Sequence, residues 1–126
     1  MRKNAYANRS PAVHATLLAE IVRAADAGPR FAAPHLIVLA GLPGGGKSTL
    51  ASALRAATGV TILESDAIRK RLYPIPTYAD WEHRKVFALV REAATRLLTR
   101  GHPAVVDATN LRRKDRLTYY AMAARL

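Results

Sequence analysis

Cysteine is absent from the 126-residue sequence, and this absence excludes several kinds of protein at once. Without thiols, the chain can form no disulfide scaffold, no cysteine-ligated zinc site and no catalytic thiolate. Long apolar runs are also missing: the run Leu36 to Ala40 is typical, whereas a transmembrane helix needs about 20 apolar residues. The charged N-terminus is followed by no apolar signal region. The sequence therefore favours a cytoplasmic protein without a membrane partner.

Acidic residues are scarce relative to basic ones. Asp and Glu number 9 against 20 Lys and Arg, which gives a formal net charge of +11. Half of the residues are hydrophobic, which excludes a disordered polar tail. The basic residues either guide a polynucleotide or phosphorylated acceptor, or form solvated helix faces. The four histidines show no metal-ligand spacing and are expected at the surface or in loops. The basic clusters are Arg69-Lys70-Arg71, Arg84-Lys85 and Arg112-Arg113-Lys114.

The apolar pattern predicts an α/β fold with a parallel sheet. Short apolar runs without alternation are typical of strands buried on both faces, and they alternate with segments of helical periodicity. This order implies right-handed crossovers between parallel strands. We expect an N-terminal extension with one amphipathic helix over residues 1–33, starting at Ser10-Pro11, and a second domain over 34–126. The predicted strands are 36–40, 60–63 and 104–106, and the later helices are 49–57, 67–72, 80–100 and 114–125.

One segment carries a complete phosphate-binding motif, G-x-x-x-x-G-K-[ST]. Glycines allow backbone N–H groups to turn inward around phosphate oxygens, and the following helix adds its positive N-terminal dipole. Lys47 would reach the β- and γ-phosphates of a nucleotide, and the Ser48 hydroxyl would bind Mg²⁺. The alternative is a glycine-rich turn with an incidental lysine. The predicted ATP-binding residues are Gly41, Leu42, Pro43, Gly44, Gly45, Gly46, Lys47, Ser48 and Thr49.

Three further residues complete the predicted catalytic set with Lys47. Asp107 follows the third apolar strand, where an acidic residue holds Mg²⁺ in P-loop proteins. Asp66 and Arg69 are three residues apart, so both would face one side of an opening helix. There Asp66 could accept a proton from an attacking hydroxyl, and Arg69 could hold a phosphate. The alternatives are a loop or capping role for the two aspartates and a solvated face for the arginine.

These motifs together resemble those of P-loop kinases of the polynucleotide-kinase-like group, also called AAA-family ATPases. The resemblance covers about residues 35 to 126, and zeta toxins and chloramphenicol phosphotransferases are more distant relatives. The resemblance implies that Asp66 activates the acceptor hydroxyl and that Arg69 contacts phosphate. It also places Asp107, Thr109 and Asn110 close to the phosphates and the acceptor. The blocks that carry it are Gly41 to Thr49, Ser65-Asp66-x-x-Arg69 and Val105 to Leu111.

The resemblance also implies a strand order of 2-3-1-4-5 and an arginine-bearing lid, of which strands 4 and 5 and the lid are missing here. We therefore expect a truncated kinase, an N-terminal fragment or a frameshifted product, with the strand before the phosphate loop at an open edge. A partner or a missing C-terminal part would cover that edge. The predicted function is transfer of the ATP γ-phosphoryl to a hydroxyl of a nucleic-acid 5′-end or a small alcohol. The alternative is a non-catalytic fragment that binds nucleotide or nucleic acid.

Overall fold

The computed structural model describes residues 2–41, 46–109 and 113–126, and within them leaves out the side chains of 2–10, 40, 41, 47, 48 and 109. Helices and strands alternate along this part of the chain as the apolar pattern predicts. Among the described residues no helix is both long and apolar enough to cross a membrane. The elements are α1 Arg2–Asp26, β1 Leu36–Gly41, α2 Lys47–Thr58, β2 Thr61–Glu64, α3 Ser65–Leu72, α4 Asp80–Thr99, β3 Ala104–Thr109 and α5 Arg113–Arg125.

The three strands form a parallel sheet in the order β1-β3-β2. Ala104 at the start of β3 pairs with Leu36 on one side and with Thr61 on the other. The parallel α/β fold is therefore confirmed, with β1 at one edge of the described sheet. The expectation that β1 is buried on both faces is wrong, because Ile37 is 36% exposed on this edge strand.

The sheet separates two hydrophobic clusters of unequal size. Side chains alternate along a strand, so Ala104, Val106 and Ala108 of β3 face one side while Val105 faces the other. The larger cluster lies on the α4 face, where α3, α4 and α5 pack against the sheet and α1 packs against α3 and α4. The smaller cluster lies on the α2 face and joins Val105 to Ala51 and Val60. The fully buried residues Val86, Leu89, Val90, Ala93, Ala94 and Leu97 make α4 the centre of the larger cluster.

The helix boundaries agree with the predicted signals except at the N-terminus. Gly59 ends α2 in the left-handed conformation, with a φ of 73°, and donates its N–H to the Arg55 carbonyl oxygen at 2.8 Å. The predicted start of the first helix at Ser10 is wrong, because α1 begins at Arg2 and contains Pro11. Proline interrupts one backbone hydrogen bond, but the residues before it include Arg, Lys and Ala, which favour helix.

A cluster of charged groups holds the end of α1 to the loop before β3. Asp26 accepts hydrogen bonds from Arg100 Nε and from His102 Nε2, each at 2.9 Å. The hydrogen bonds from Arg100 and His102 lower the pKa of Asp26 to about 2. His102 lies in a loop, one of the two expected positions, but it is buried there: it is 1% exposed, and Nδ1 lies 2.9 Å from the Pro29 carbonyl oxygen. Since both partners of this ring are acceptors, both bonds form together only in the doubly protonated ring.

Candidate functional site

Those predicted site residues that the structure describes gather at one edge of the sheet, where the three parallel strands end. β1 ends at Gly41, β2 at Glu64 and β3 at Thr109. The helices α2 and α3 start beside this carboxyl edge, with Lys47 and Ser65 as their first residues. Ligands of open parallel α/β sheets bind at the carboxyl ends of the strands. The fold therefore places the predicted phosphate, metal and acceptor residues at the edge that such sheets use for binding.

The phosphate loop connects β1 to α2. Gly46 has a φ of 82°, a left-handed conformation that favours glycine, and its carbonyl oxygen accepts the N–H of Leu50 at 3.0 Å. Within the described part of the chain no side chain caps α2, and its first turn contains no acidic residue. The N–H groups of that turn are consequently suited to an anion.

Not every residue of the predicted phosphate loop can be placed. Gly41 ends β1, Lys47 and Ser48 open α2 with side chains that are not described, and Thr49 is exposed. The remaining predicted loop residues lie outside the described part of the chain, as does the predicted acceptor residue Asn110. Those loop residues are Leu42, Pro43, Gly44 and Gly45.

Asp107 lies on the α2 face near the end of β3. It comes two residues after Val105, so the two side chains share a face, and Val105 packs with Ala51 of α2. Only 2% of Asp107 is exposed. In the sheet register, Asp107 pairs with Leu39 of β1 and with Glu64 of β2. The adjacent predicted residue Thr109 ends β3, and its side chain is not described.

Glu64 is a residue that sequence reasoning missed. Its place in β2, two residues after Ile62 of the α2-face cluster, puts its exposed side chain on the same face as Asp107. The alternation Ile62, Leu63, Glu64 is the sequence signal that would have indicated this. Two carboxylates on neighbouring strands offer oxygen ligands of the kind that Mg²⁺ prefers, so the donor set fits that ion.

Asp66 and Arg69 share the short helix α3, but their environments differ. Asp66 is exposed in the first turn of α3, whereas Arg69 is 6% exposed and packs towards α4. One guanidinium nitrogen of Arg69 donates to Glu82 Oε1 at 2.8 Å, and the Tyr78 ring lies 4.9 Å from the guanidinium carbon. Arg69 Nε is buried and has no hydrogen-bond partner among the described residues. The predicted roles of this pair stay predictions.

Glu82 is the second residue that sequence reasoning missed. It is fully buried in the first turn of α4, and its Oε2 accepts hydrogen bonds from the Thr77 backbone N–H and hydroxyl, each at 2.7 Å. Burial alone raises the pKa of Glu82, but the hydrogen bonds from Arg69 and Thr77 outweigh burial, so the pKa lies below its ordinary value. An acidic residue in the first turn of a helix is normally explained by its favourable interaction with the helix dipole. The sequence therefore did not predict that Glu82 pairs with Arg69.

This combination of a parallel sheet, a phosphate loop between β1 and α2 and an acidic residue at the end of the adjacent strand defines a P-loop kinase-like protein. The chain belongs to the AAA domain family, whose model matches residues 36–126. Proteins of this P-loop kinase-like family generally bind ATP with Mg²⁺. A comparison with curated proteins found no match.

Two solved structures are similar to the chain in fold. A chain from the PezAT chromosomal toxin-antitoxin system of Streptococcus pneumoniae superimposes with a TM-score of 0.74 at 16% identity, over 90% of this chain and 52% of that one. The APS kinase CysC of Mycobacterium tuberculosis, as its Cys556Ala mutant, gives a TM-score of 0.57 at 21% identity, over 77% of this chain and 69% of that one. The chain thus spans about half the length of the PezAT chain. At these identities the likeness shows the fold alone.

Proposed function

We propose that the protein is an ATP-dependent phosphotransferase that binds ATP with Mg²⁺ and transfers the γ-phosphoryl to a hydroxyl. The observation that carries this proposal is the position of the Gly41 to Thr49 motif between β1 and α2, with buried Asp107 on the adjacent strand and on the same face as α2. Family membership supports it, because P-loop kinase-like proteins share this arrangement.

Different residues around the loop would bind different parts of the nucleotide and its metal ion. The loop and the first turn of α2 would hold the β- and γ-phosphates through backbone N–H groups, with Lys47 supplying the positive charge. Ser48 and Asp107 would hold Mg²⁺, and Glu64 lies beside Asp107 in the register. When bound, the ion neutralises charge on the phosphates.

Transfer needs a base at the acceptor hydroxyl. In the proposed step, the acceptor oxygen forms a bond to the γ-phosphorus while the bond between that phosphorus and the bridging oxygen of ADP breaks, and Asp66 takes the hydroxyl proton. Exposure of Asp66 at the carboxyl edge of the sheet supports this role. Arg69 would contact phosphate, and Thr109 and Asn110 would contact phosphate or acceptor, as in the polynucleotide-kinase-like group. The acceptor hydroxyl would belong to a nucleic-acid 5′-end or a small alcohol.

A second candidate is nucleotide binding without transfer. The pairing of Arg69 with Glu82 favours it, because the arginine is already engaged inside the protein. Under either function we propose that residues 1–33 form an extension to a nucleotide-binding unit over 34–126, in a cytoplasmic protein. We further propose that additional strands or a partner cover the outer edge of β1, beside which Phe31 is 52% exposed.

Replacement of Lys47 tests nucleotide binding directly. Lys47→Ala should abolish binding of ATP with Mg²⁺, because the main positive charge at the β- and γ-phosphates is lost. Isothermal titration calorimetry measures the affinity, and far-UV circular dichroism should be unchanged. Lys70→Ala, which removes an exposed lysine from α3, is the matched control and should bind as the wild type does. Equal ATP affinity in the Lys47 variant and the wild type would contradict the proposal.

Replacement of Asp66 separates transfer from binding. Asp66→Asn should lower the rate of ³²P transfer from γ-labelled ATP by about 10²–10⁴-fold, the usual contribution of a general base. The ATP dissociation constant should stay within about threefold, because Asp66 does not hold the nucleotide in this mechanism. Weakened ATP binding with an unchanged rate would instead identify Asp66 as a metal-binding or capping residue.

A further inference from the structure

A polar cavity lies between α4 and α5, away from the proposed nucleotide site. Its volume is about 270 Å³, and it is lined by three basic side chains, two acidic ones and two rings. The basic residues are Arg84, Arg91 and Lys114. Arg84 and Lys114 belong to two basic clusters that lie far apart in the sequence, and the fold brings them to one cavity.

The cavity lies between the N-terminal part of α4 and the first turn of α5. Helix α4 starts at Asp80 after the α3 segment that leaves β2, and α5 starts at Arg113 after β3. Both starting points therefore lie at the edge where Asp66 and Asp107 are found. The cavity lies on the α4 face of the sheet, whereas Asp107 lies on the α2 face, so a bound molecule would reach the proposed site around the carboxyl edge.

The three basic groups have no ion-pair partner within the described residues. Arg69, Arg71, Arg96 and Arg100 each bond to an acidic side chain. Three cations around one small cavity repel each other, and a bound anion would relieve that repulsion. Guanidinium groups form paired hydrogen bonds to phosphate oxygens, so phosphate is the anion that this set suits.

The acidic residues restrict what else the ligand can carry. Asp80 and Asp115 line the same cavity, so its formal charge with neutral histidine is +1. One phosphate monoester fits this balance, whereas a chain of phosphates would meet the two carboxylates. Carboxylates accept hydrogen bonds from hydroxyl groups. The volume is close to the lower end of the roughly 300–1,000 Å³ of small-molecule pockets, which favours one small molecule over a polymer.

The two rings supply a flat apolar part of the wall. His83 and Phe87 are stacked with ring centroids 4.5 Å apart and planes tilted by 36°. Phe87 is buried and His83 is half-buried, so the imidazole presents the stacked pair to the cavity. Such a surface packs against the carbon skeleton of a sugar ring or against a base.

We propose that this cavity binds a small polyhydroxylated phosphate monoester, such as a sugar phosphate or a nucleoside monophosphate. Arg84, Arg91 and Lys114 hold the phosphate, and Asp80 accepts hydrogen bonds from hydroxyl groups. That this molecule is the phosphoryl acceptor rests on the proposed function, and it narrows the acceptor from nucleic-acid ends to small phosphorylated alcohols. The binding itself does not depend on the phosphate loop.

The test uses ribose 5-phosphate, glucose 6-phosphate and adenosine 5′-monophosphate as probes. Titration is carried out in the Lys47→Ala protein, so that the phosphate loop does not contribute. At least one of the three probes should bind to this protein, and unphosphorylated ribose should not bind. When Arg84→Gln and Arg91→Gln are introduced into the same Lys47→Ala protein, the affinity for the probe should fall by about tenfold or more. Arg96→Gln, an exposed arginine of the same helix outside the cavity, should leave the affinity unchanged.

The outcomes separate this proposal from the proposed function. The Arg84→Gln, Arg91→Gln protein with Lys47 intact should bind ATP with wild-type affinity. Absence of binding by all three probes, or equal binding after both arginine replacements, would overturn the cavity assignment even if ATP binds normally. If a short oligonucleotide displaces the probes at a concentration below that of the probes, the ligand of the cavity is a nucleic acid. That result would overturn the proposal that the cavity binds a small molecule. If the wild-type protein does not bind ATP, the proposed function is contradicted, but the assignment of the cavity is not affected.

Discussion

The two faces of the sheet differ in how much protein covers them. On the α4 face, four helices bury a cluster in which Val90, Leu97 and Val106 are fully inaccessible. On the α2 face, α2 is the one helix that the described residues provide, and the buried cluster there consists of Ala51, Val60 and Val105. The apolar area removed from water, and with it the hydrophobic stabilisation, is therefore concentrated on the α4 face.

The functional groups follow the opposite distribution. The first turn of α2, Asp107 and Glu64 belong to the thinly covered α2 face. A binding site needs access for its ligand and polar groups that water or ligand can reach, and both conditions weaken a core. The difference indicates that one face of this small sheet supports the fold, while the other is the face on which we propose that the nucleotide binds.

Removal of Glu82 should give the largest loss of stability. Glu82→Ala leaves the buried Arg69 charge without its partner, which typically costs about 3–5 kcal/mol. Urea unfolding measures the change. Glu92→Ala, an exposed position of the same helix, is the control and should cost about 1 kcal/mol or less. Similar losses in the two variants would show that Arg69 and Glu82 contribute no more than a surface pair.

The Glu82 pair also predicts a pH dependence. Folding lowers the pKa of Glu82, so the stability it contributes is present above its ordinary value of 4.5 and is lost as the pH falls through the lower folded value. Asp26, with a pKa of about 2, acts in the same direction between its ordinary value of 3.8 and pH 2. Acid titration followed by circular dichroism should therefore be flatter in Glu82→Ala than in the wild type.

Truncation of one leucine on each face tests the comparison itself. Leu97 is fully buried on the α4 face, whereas Leu54 is only partly buried against the α2-face cluster. Leu97→Ala should cost about 2–5 kcal/mol through lost burial and a residual cavity, and Leu54→Ala should cost less than half of that. Denaturant unfolding of both variants gives the ratio. A larger loss at Leu54 would mean that the α2 face carries a greater share of the stability.

The smallest effect is expected at Tyr119, on the α4 face. Its ring is 1% exposed, burial raises its pKa, and its buried hydroxyl has no hydrogen-bond partner in the described part of the chain. Tyr119→Phe removes this unsatisfied group, so the melting temperature should stay unchanged or rise, with a gain of up to about 1 kcal/mol. Tyr120→Phe at the exposed neighbouring position is the control. A clear loss of stability at Tyr119 would show that the hydroxyl is bonded.

The sequence by itself determined the elements and the phosphate loop of this protein. Gly59 ends α2 and the Asp80 segment starts α4 as predicted, because caps and helical periodicity act within a few residues of chain. The Gly41 to Thr49 motif is equally local, since its residues are contiguous in the sequence. The exception is the start of α1, which was predicted at Ser10-Pro11. The helix propensity of the residues before Pro11 outweighs the tendency of proline to mark a helix start.

Only the tertiary structure decided which charged groups meet. Arg69 pairs with Glu82 thirteen residues away, and His102 meets Asp26 across 76 residues. The cavity between α4 and α5 likewise joins Arg84 to Lys114. Each of these contacts depends on how helices pack against the sheet, and that packing follows from burial of apolar side chains rather than from the spacing of the charged ones. A sequence pattern therefore predicts which residues carry charge, whereas the packed fold determines which are buried, paired or left for a ligand.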